Sequence, residues 1–278
     1  MKKIDRLGWA AGISFTSYGV RVGVRVNSPE ALALVSDYLP PGWKPSPSHV
    51  VERLYSLILG QGDAAGRGAR RFSLFYRDLD RIARTKNVEE ALALFESDLH
   101  LHVATEARRR VFVHAGVVGW KGRALLIPGR SRSGKTTLVA ELVKAGAVYY
   151  SDEYAVLDQR GRVHPYPRPL QIRAEETGAQ RRHPVETLGG RAGRAPLPVA
   201  LVVASRYRQG AKWRPRRLTA GQGVLELLAQ TVSARSRPEK AFAALERIAT
   251  RALVLKGARG EASEMVDQLL RQLEDVRA

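Results

Sequence analysis

The first part of the chain alternates apolar and polar positions, the pattern of a half-buried β-strand. The alternation is clearest between residues 12 and 26 and is interrupted at residues 17–19, which predicts a β-hairpin with its turn at that point. A helix is predicted over residues 29–39, with Pro29 near its first turn, and a proline-rich loop over residues 40–47. The alternating apolar positions are Ile13, Phe15, Val20, Val22, Val24 and Val26.

Three further elements are predicted before residue 109. They are a loop over residues 60–68, a strand over residues 71–76 and a helix that Asn87 caps. The apolar residues of this helix recur at helical spacing and are Ala91, Leu92, Leu94, Phe95 and Leu99. Residues 1–108 are therefore expected to form an N-terminal α+β region of unknown role, without catalytic motifs.

From residue 109 the apolar runs become strand-like and are separated by helical patterns, which predicts an α/β domain over residues 109–278. The predicted strands span residues 111–118, 123–128, 146–150, 154–157, 162–164, 197–204 and 253–255. The predicted helices start near residue 135, span residues 221–232 and 238–250, and start again at residue 263. The arginine- and glycine-rich stretch 175–198 is predicted to be a mobile loop.

Residues 129–136 read Gly-Arg-Ser-Arg-Ser-Gly-Lys-Thr and match G-x-x-x-x-G-K-[ST], the pattern of loops that bind nucleotide phosphates. The motif follows a predicted strand and opens a predicted helix, which is the context that such a loop requires. Gly129 and Gly134 would let successive backbone N–H groups point at one anion, at the positive end of the helix dipole. Lys135 would reach the terminal phosphates, and the Thr136 hydroxyl would bind Mg²⁺. The alternative is a glycine- and serine-rich turn before a helix.

The residues predicted to surround the nucleotide phosphates are Gly129, Arg130, Ser131, Arg132, Ser133, Gly134, Lys135, Thr136 and Thr137. Arg130 and Arg132 would add positive charge beside the phosphates, and the alternative is that both are solvated arginines.

Two acidic residues, Asp152 and Glu153, close the strand that follows the motif helix. A phosphoryl-transfer site needs a carboxylate to hold Mg²⁺ and a second one to accept the proton of an attacking hydroxyl. If the backbone turns at the strand end, both carboxylates can face the site; otherwise they are solvated charges. His114, within an apolar strand, is either a group beside the terminal phosphate or a core histidine.

Taken together, His114-Ala-Gly, the 129–136 loop and Ser151-Asp152-Glu153 resemble the catalytic domain of bacterial HPr kinase/phosphorylase and related proteins. The resemblance covers residues 110–160. It implies a phosphate-loop kinase fold similar to phosphoenolpyruvate carboxykinase, and ATP- and Mg²⁺-dependent transfer to a serine hydroxyl. It also implies catalytic roles for Lys135, Asp152, Glu153 and His114, with Thr136 and Asp152 as metal ligands. The family's second acid is Asp rather than Glu, and its Glu-x-Arg-Gly signature is replaced here by residues 190–196.

Composition leaves several partner classes open. The chain has 278 residues, a net charge of +19 and no cysteine, which excludes disulfides and thiolate metal sites. The positive charge suits a nucleic acid, an acidic protein or peptide, or an anionic nucleotide bound by an arginine-rich protein. No apolar run is long enough to span a bilayer and no signal-peptide core follows the N-terminus, so a cytoplasmic location is the default expectation.

The leading hypothesis is an ATP-dependent serine kinase that acts on a peptide, a small carrier protein or a small hydroxylated molecule, with ATP and Mg²⁺ bound at the glycine-rich motif. The second hypothesis is a regulatory protein whose nucleotide state controls a partner. A nucleic-acid-associated ATPase is a third reading and rests on charge alone. The acceptor, the choice between ATP and pyrophosphate as donor, and homo-oligomerisation stay open at this point.

Overall fold

The computed structural model describes residues 3–60, 71–130, 133–173 and 180–276 and shows a mixed α/β protein. The predicted loop over residues 60–68 lies almost entirely outside these ranges, as do Ser131 and Arg132. The chain divides into two compact units, Met1–Arg108 and Arg109–Ala278. No helix in the described ranges is long and apolar enough to cross a membrane.

The first unit is built on one sheet and two helices. Its strands are β1 (Ala11–Ser17), β2 (Val20–Val26), β3 (Lys44–Pro45), β4 (Arg53–Ile58), β5 (Ser73–Arg77) and β6 (Asp80–Thr85), and its helices are α1 (Pro29–Ser36) and α2 (Val88–Glu106). The strand order is β3-β1-β2-β4-β5-β6, with only the β2–β4 pair parallel. The predicted hairpin is confirmed as β1 and β2, whereas α1 ends three residues earlier than predicted.

Local capping explains where the two helices of the first unit begin. The Ser28 hydroxyl accepts a hydrogen bond from the Ala31 N–H at the start of α1. The Asn87 side chain accepts from the Glu89 and Glu90 N–H groups, which confirms the predicted cap of α2. Each cap satisfies N–H groups that have no partner within the helix. The core of this unit is mainly aliphatic and includes a cluster of three rings in mutual contact, Tyr55, Phe75 and Phe95.

The second unit is a sheet covered by helices on both faces. Its strands are β7 (Val111–Trp120), β8 (Arg123–Pro128), β9 (Val148–Ser151), β10 (Tyr154–Leu157), β11 (Arg162–His164), β12 (Leu170–Arg173), β13 (Gln180–His183), β14 (Leu197–Tyr207), β15 (Arg216–Arg217) and β16 (Leu253–Arg259). Its helices are α3 (Lys135–Lys144), α4 (Ala220–Leu228), α5 (Pro238–Arg251) and α6 (Val266–Asp275).

Alternate side chains of the central strands serve two separate cores. In β8, Ala124 and Leu126 belong to the core that contains the apolar faces of α4 and α5. Leu125 and Ile127 belong to the core that contains α3 and α6. A strand buried on both faces has a nearly continuous apolar sequence, which is why these strands were visible as apolar runs.

Strand β7 lies between the strands that lead to the glycine-rich motif and to the two acidic residues. It is antiparallel to β8 on one side and to β9 and β10 on the other. Strand β8 continues in parallel to β14, and β14 in parallel to β16. Because β8, β9, β14 and β16 all run in one direction, their carboxyl ends lie at the same edge of the sheet. That edge carries the loop of residues 129–136, called the glycine loop below.

Three sequence-based predictions for this unit need correction. The stretch 175–198 was predicted to be a loop, but residues 180–183 form β13, which pairs with β12, and residues 185–188 form a 3-10 turn. Strand β13 reads Gln-Arg-Arg-His, so its sequence carries no alternating apolar signal, whereas Leu170 and Ile172 of β12 pack on the core. The strand predicted to end at residue 255 continues to Arg259, and the helix predicted over residues 221–232 ends at Leu228.

Gly116 controls how closely α3 packs against β7. A Cβ atom added there would lie 2.6 Å from Cγ2 of Val139 and 3.8 Å from Cβ of Lys135. Val139 is β-branched and lies within a helix, so it cannot turn away easily. Gly116→Ala should therefore lower the free energy of unfolding by about 1–3 kcal/mol, the usual cost of overpacking.

Gly221 provides the matched control for this substitution. It lies exposed in the first turn of α4, and an added Cβ would meet no atom within 4 Å. Gly221→Ala should be neutral or stabilising by up to about 1 kcal/mol, because alanine favours helix over glycine. Urea denaturation of both variants checks the pair, and equal costs at the two positions would contradict the packing argument.

Candidate functional site

The glycine loop connects β8 to α3 at the sheet edge where the parallel strands end. Gly134 is the N-cap of α3 and has a left-handed backbone with φ of 82°, a conformation that glycine adopts without strain. The N–H of Gly129 donates to the backbone carbonyl of His114 at 3.1 Å, which ties the start of the loop to β7. The loop therefore leaves the sheet at a fixed point and enters the helix through a tight turn.

Lys135 folds back over the glycine loop. Its Nζ donates to the carbonyl oxygens of Gly129 at 2.7 Å and of Arg130 at 2.8 Å. The side chain is buried, and burial lowers the pKa of Lys135, while the charges of Glu153 and Asp152 act in the opposite direction. A buried ammonium group is thus held by neutral carbonyls, with two carboxylates close enough to affect its pKa.

Asp152 is the acidic residue that contacts the helix. Its Oδ2 accepts a hydrogen bond from the Thr136 hydroxyl at 3.0 Å, and its Oδ1 accepts from the Tyr149 hydroxyl at 2.9 Å. The Tyr149 oxygen also lies 2.9 Å from the carbonyl oxygen of Arg168, so its single proton has two possible acceptors. Burial first, and the Asp152 charge second, raise the pKa of Tyr149, which keeps this hydroxyl protonated.

The backbone bends at the two acidic residues, while β9 and β10 both run antiparallel to β7. The Ser151 hydroxyl accepts hydrogen bonds from the N–H groups of Glu153 at 3.1 Å and Tyr154 at 3.0 Å. This local turn separates β9 from β10. Asp152 is only 7% exposed, whereas the Glu153 side chain is 41% exposed. Both charges raise the pKa of Lys135, so both carboxylates lie in the neighbourhood of the loop.

His114 lies on β7 between the glycine loop and the acidic turn. It pairs in register with Tyr154, and the two rings lie 4.7 Å apart between centroids. Its Nδ1 is 3.8 Å from Oε1 of Glu153, which is too long for a hydrogen bond but within range of electrostatic interaction. Burial first, and the Lys135 charge second, lower the pKa of His114 below 6.5, so the imidazole is neutral at neutral pH.

The structure brings most of the predicted residues together and leaves some outside. The residues that share contacts around the start of α3 are His114, Gly129, Gly134, Lys135, Thr136, Asp152 and Glu153. Arg130 is exposed and contributes its backbone carbonyl, and Thr137 is exposed on α3. Ser133 is half-buried, with its hydroxyl 2.7 Å from where a Gly129 side chain would begin. Ser131 and Arg132 belong to the part of the loop outside the described residues.

Arg259 is a cationic residue of this site that the sequence did not predict. It stands at the end of β16 and is only 3% exposed. One guanidinium nitrogen donates to the Gly134 carbonyl at 2.9 Å and another to the Gly260 carbonyl at 3.0 Å. The guanidinium also lies 5.4 Å from the ring centre of Tyr207, and burial lowers the pKa of Arg259. No sequence pattern indicated this residue, because the strand was expected to end at residue 255.

The chemistry of this arrangement favours an anion beside a hard cation. Lys135 and Arg259 place two buried positive charges at the N-terminus of α3, whose dipole adds further positive potential. The Thr136 hydroxyl and the Asp152 carboxylate present adjacent oxygen atoms, the ligand type that Mg²⁺ prefers. Among the described residues no group of three or more His, Cys, Asp and Glu side chains could hold a metal alone. A site in which phosphates complete the magnesium shell needs only one or two protein oxygens.

Comparison with known proteins gives no independent guide to this site. A scan against protein-family models finds no match, and a search of curated proteins finds none either.

The pKa of His114 should depend on Lys135. Lys135→Ala removes a positive charge that favours the neutral imidazole, so the pKa of His114 should rise but stay below 6.5, because burial is the larger cause. NMR titration of the histidine ring protons, with His114→Gln to assign the resonance, measures this. Lys144→Ala, at the exposed end of the same helix, should leave the pKa unchanged. An unchanged or lowered pKa in Lys135→Ala would contradict the arrangement.

Tyr149 should stabilise the unit through its bond to the Asp152 carboxylate. Tyr149→Phe should lower the free energy of unfolding by about 2 kcal/mol, the range for a hydrogen bond to a charged group. Tyr150→Phe is the adjacent control: its hydroxyl donates to the neutral Ala195 carbonyl at 2.7 Å, and its loss should cost about 1 kcal/mol. Urea denaturation compares the two, and a smaller cost at Tyr149 would argue against its positioning role.

Proposed function

We propose that the chain is an ATP- and Mg²⁺-dependent phosphotransferase of the HPr-kinase-like type, which phosphorylates a serine or another hydroxyl on a peptide, small protein or small molecule. The observation that carries the proposal is the convergence of Lys135, Thr136, Asp152 and Glu153 at the start of α3. A phosphate-binding loop alone fits any nucleotide-binding protein. A loop with one buried and one accessible carboxylate beside it has the groups for transfer to a hydroxyl.

The arrangement of the sheet supports the proposal because it brings the sequence features of the resemblance to one site. The strand before the loop, β8, and the strand before the acids, β9, pair with opposite sides of β7. Strand β7 itself carries His114 and Gly116, the histidine–glycine pair of the resemblance. Gly116 admits α3, and His114 faces Glu153 at 3.8 Å, so three separate sequence features occupy one site.

Each residue has a distinct role in this proposal. Lys135, already within the loop, would exchange its carbonyl partners for the oxygens of the terminal phosphates. The Thr136 hydroxyl and Asp152 would hold Mg²⁺, which neutralises the charge that develops on the phosphates. Tyr149 positions Asp152 by donating to its other oxygen. Arg259 adds a second cation beside the loop and fixes the Gly134 carbonyl.

Glu153 is the residue that would accept the proton of the attacking hydroxyl. Its side chain is 41% exposed, so an acceptor from solvent can reach it, in contrast to buried Asp152. The nearby imidazole of His114 is neutral because burial and Lys135 lower its pKa, so it does not lock Glu153 in a strong ion pair. A carboxylate placed in this way can act as a general base.

One observation favours a second candidate, a nucleotide-binding regulatory protein without transfer activity. The segment that replaces the Glu-x-Arg-Gly signature pairs with β9 through its backbone. The Arg191 carbonyl accepts from the Tyr149 N–H at 2.9 Å, and the Gly193 N–H donates to the Tyr149 carbonyl at 2.7 Å. A Cβ atom at Gly193 would lie 2.3 Å from the Tyr150 ring, so glycine serves packing there.

Two substitutions separate nucleotide binding from transfer. Labelled ATP, Mg²⁺ and the products of adjacent genes are incubated with each variant, and nucleotide binding is measured in parallel. Lys135→Ala should abolish transfer and weaken ATP binding. Glu153→Gln, nearly identical in shape, should bind ATP normally and lose transfer by about 100-fold or more, the usual contribution of a general base. Lys144→Ala on the same helix is the control.

The outcomes discriminate between the candidates. A phosphorylated serine that depends on Glu153 supports the kinase. Full transfer by Glu153→Gln would remove the assigned role of that residue. Nucleotide-dependent binding of a partner without any transfer would favour the regulatory protein.

A further inference from the structure

A strongly basic segment lies outside the site described so far. Of residues 206–217, six are basic and none is acidic. All six are exposed, and we call this segment the basic hairpin; the six are Arg206, Arg208, Lys212, Arg214, Arg216 and Arg217. Neither the proposed nucleotide chemistry nor the core of the unit accounts for so many cations in one place.

The basic hairpin is an ordered part of the sheet. It leaves the end of β14, turns at Gly210, whose φ is 69°, and returns as β15, which pairs antiparallel with β16. The half-buried ring of Trp213 packs on β16, where a Cβ atom at Gly257 would lie 3.1 Å from Cζ3 of the indole. The Leu218 N–H donates to the Val254 carbonyl at 2.9 Å just after β15. The cations are therefore displayed from a fixed backbone.

The basic hairpin begins directly beside the glycine loop. Tyr207 pairs in register with Arg259, and the Arg208 N–H donates to the Arg259 carbonyl at 2.9 Å. The Arg259 guanidinium in turn donates to the Gly134 carbonyl. The Tyr207–Arg259 pair thus links the N-cap of α3 to the first cations of the hairpin. Under the proposed function, the hydroxyl substrate would approach this edge of the sheet.

The positive charge of the basic hairpin is not neutralised within the described part of the chain. No salt bridge there joins any of its six cations to an acidic residue. Two acidic residues close by are engaged elsewhere: Glu261 accepts from the Tyr207 hydroxyl at 2.8 Å, and Glu226 pairs with Lys256. A fixed cluster of like charges raises the local concentration of anionic partners.

We infer that the basic hairpin docks an acidic peptide segment next to the hydroxyl that the site phosphorylates, an inference that rests on the proposed function. An acidic acceptor that approaches a nucleoside triphosphate is repelled, and exposed cations at the entrance reduce that repulsion. Five of the six cations are arginines, whose guanidinium groups bind carboxylates in bidentate pairs. A single-stranded nucleic acid is usually held by successive bases stacked on several aromatic rings, but Trp213 packs on β16, which leaves Tyr207 as the one exposed ring among residues 206–217.

The test measures binding of a short fluorescein-labelled peptide with one serine flanked by aspartate and glutamate. The full chain is compared with R208Q/K212Q/R214Q, which leaves β14 and β15 intact. The matched control is K240Q/R251Q/R271Q, three exposed cations on α5 and α6, with the same change in net charge. We expect affinity to fall roughly tenfold in the hairpin variant and less than about twofold in the control, from the usual size of exposed ion pairs.

A lysine peptide, added salt and short DNA test whether the binding is specific for an acidic peptide. A peptide with lysine in place of the acidic residues should not bind, and added salt should weaken the acidic peptide. Equal losses in the two variants would show attraction by overall charge and overturn the inference, as would no binding to the full chain. Tighter binding of a short DNA duplex or single strand, lost in the hairpin variant, would make this a nucleic-acid surface and also overturn it.

Nucleotide binding is measured on the same samples with a fluorescent ATP analogue. If the full chain binds the peptide but not the nucleotide analogue, the result counts against the proposed function and not against the docking surface. Normal nucleotide binding without peptide binding would count against the docking surface alone.

Discussion

The close approach of α3 to β7 is the contact on which the candidate site depends. Gly116 leaves no side chain between the strand and the helix, so Val139 and Lys135 come down onto the sheet. The same strand holds β8 on one side and β9 and β10 on the other. The loop that ends β8 and the acids that end β9 therefore approach α3 from opposite sides of β7. A wider separation of α3 from β7 would draw Thr136 away from Asp152, which it contacts at 3.0 Å.

Two buried cations, Lys135 and Arg259, make the site favourable for an anion. Lys135 and Arg259 are both buried, yet their charged groups donate to backbone carbonyls and not to carboxylates. Such cations lose solvation without gaining the full attraction of an ion pair, as the lowered pKa of each indicates. Phosphate oxygens would restore that attraction. The folded state thus carries an electrostatic cost that a bound nucleotide would offset, and by linkage such a nucleotide would stabilise the unit.

Local patterns explain which parts of the fold and site could be predicted from the sequence. The strand–loop–helix around residues 123–144 was predictable because apolar periodicity, two glycines and a lysine act within a short segment. A change of backbone direction near Ser151 was predictable, because two adjacent acids on a regular strand point to opposite sides. They can face one site only if the backbone bends. Arg259 was not, because its contact with Gly134 joins residues 125 positions apart. Strand β13 was missed because its sequence, Gln-Arg-Arg-His, has no apolar residue and therefore no periodic signal.

The difference between the two carboxylates is the feature that turns a binding site into a candidate for catalysis. Asp152 is 7% exposed and hydrogen-bonded through both oxygens, which suits a fixed metal ligand. Glu153 follows it directly but lies on the open side of the turn, 41% exposed. The extra methylene of glutamate moves its carboxylate by about 1.5 Å relative to aspartate. In a buried position that shift would misplace a catalytic group. On the open side it extends the carboxylate toward solvent, where an acceptor hydroxyl would arrive. Under the proposed function, a glutamate in place of the second aspartate of HPr kinases falls at a half-exposed position, and it would place the proton acceptor on the solvent side of the site.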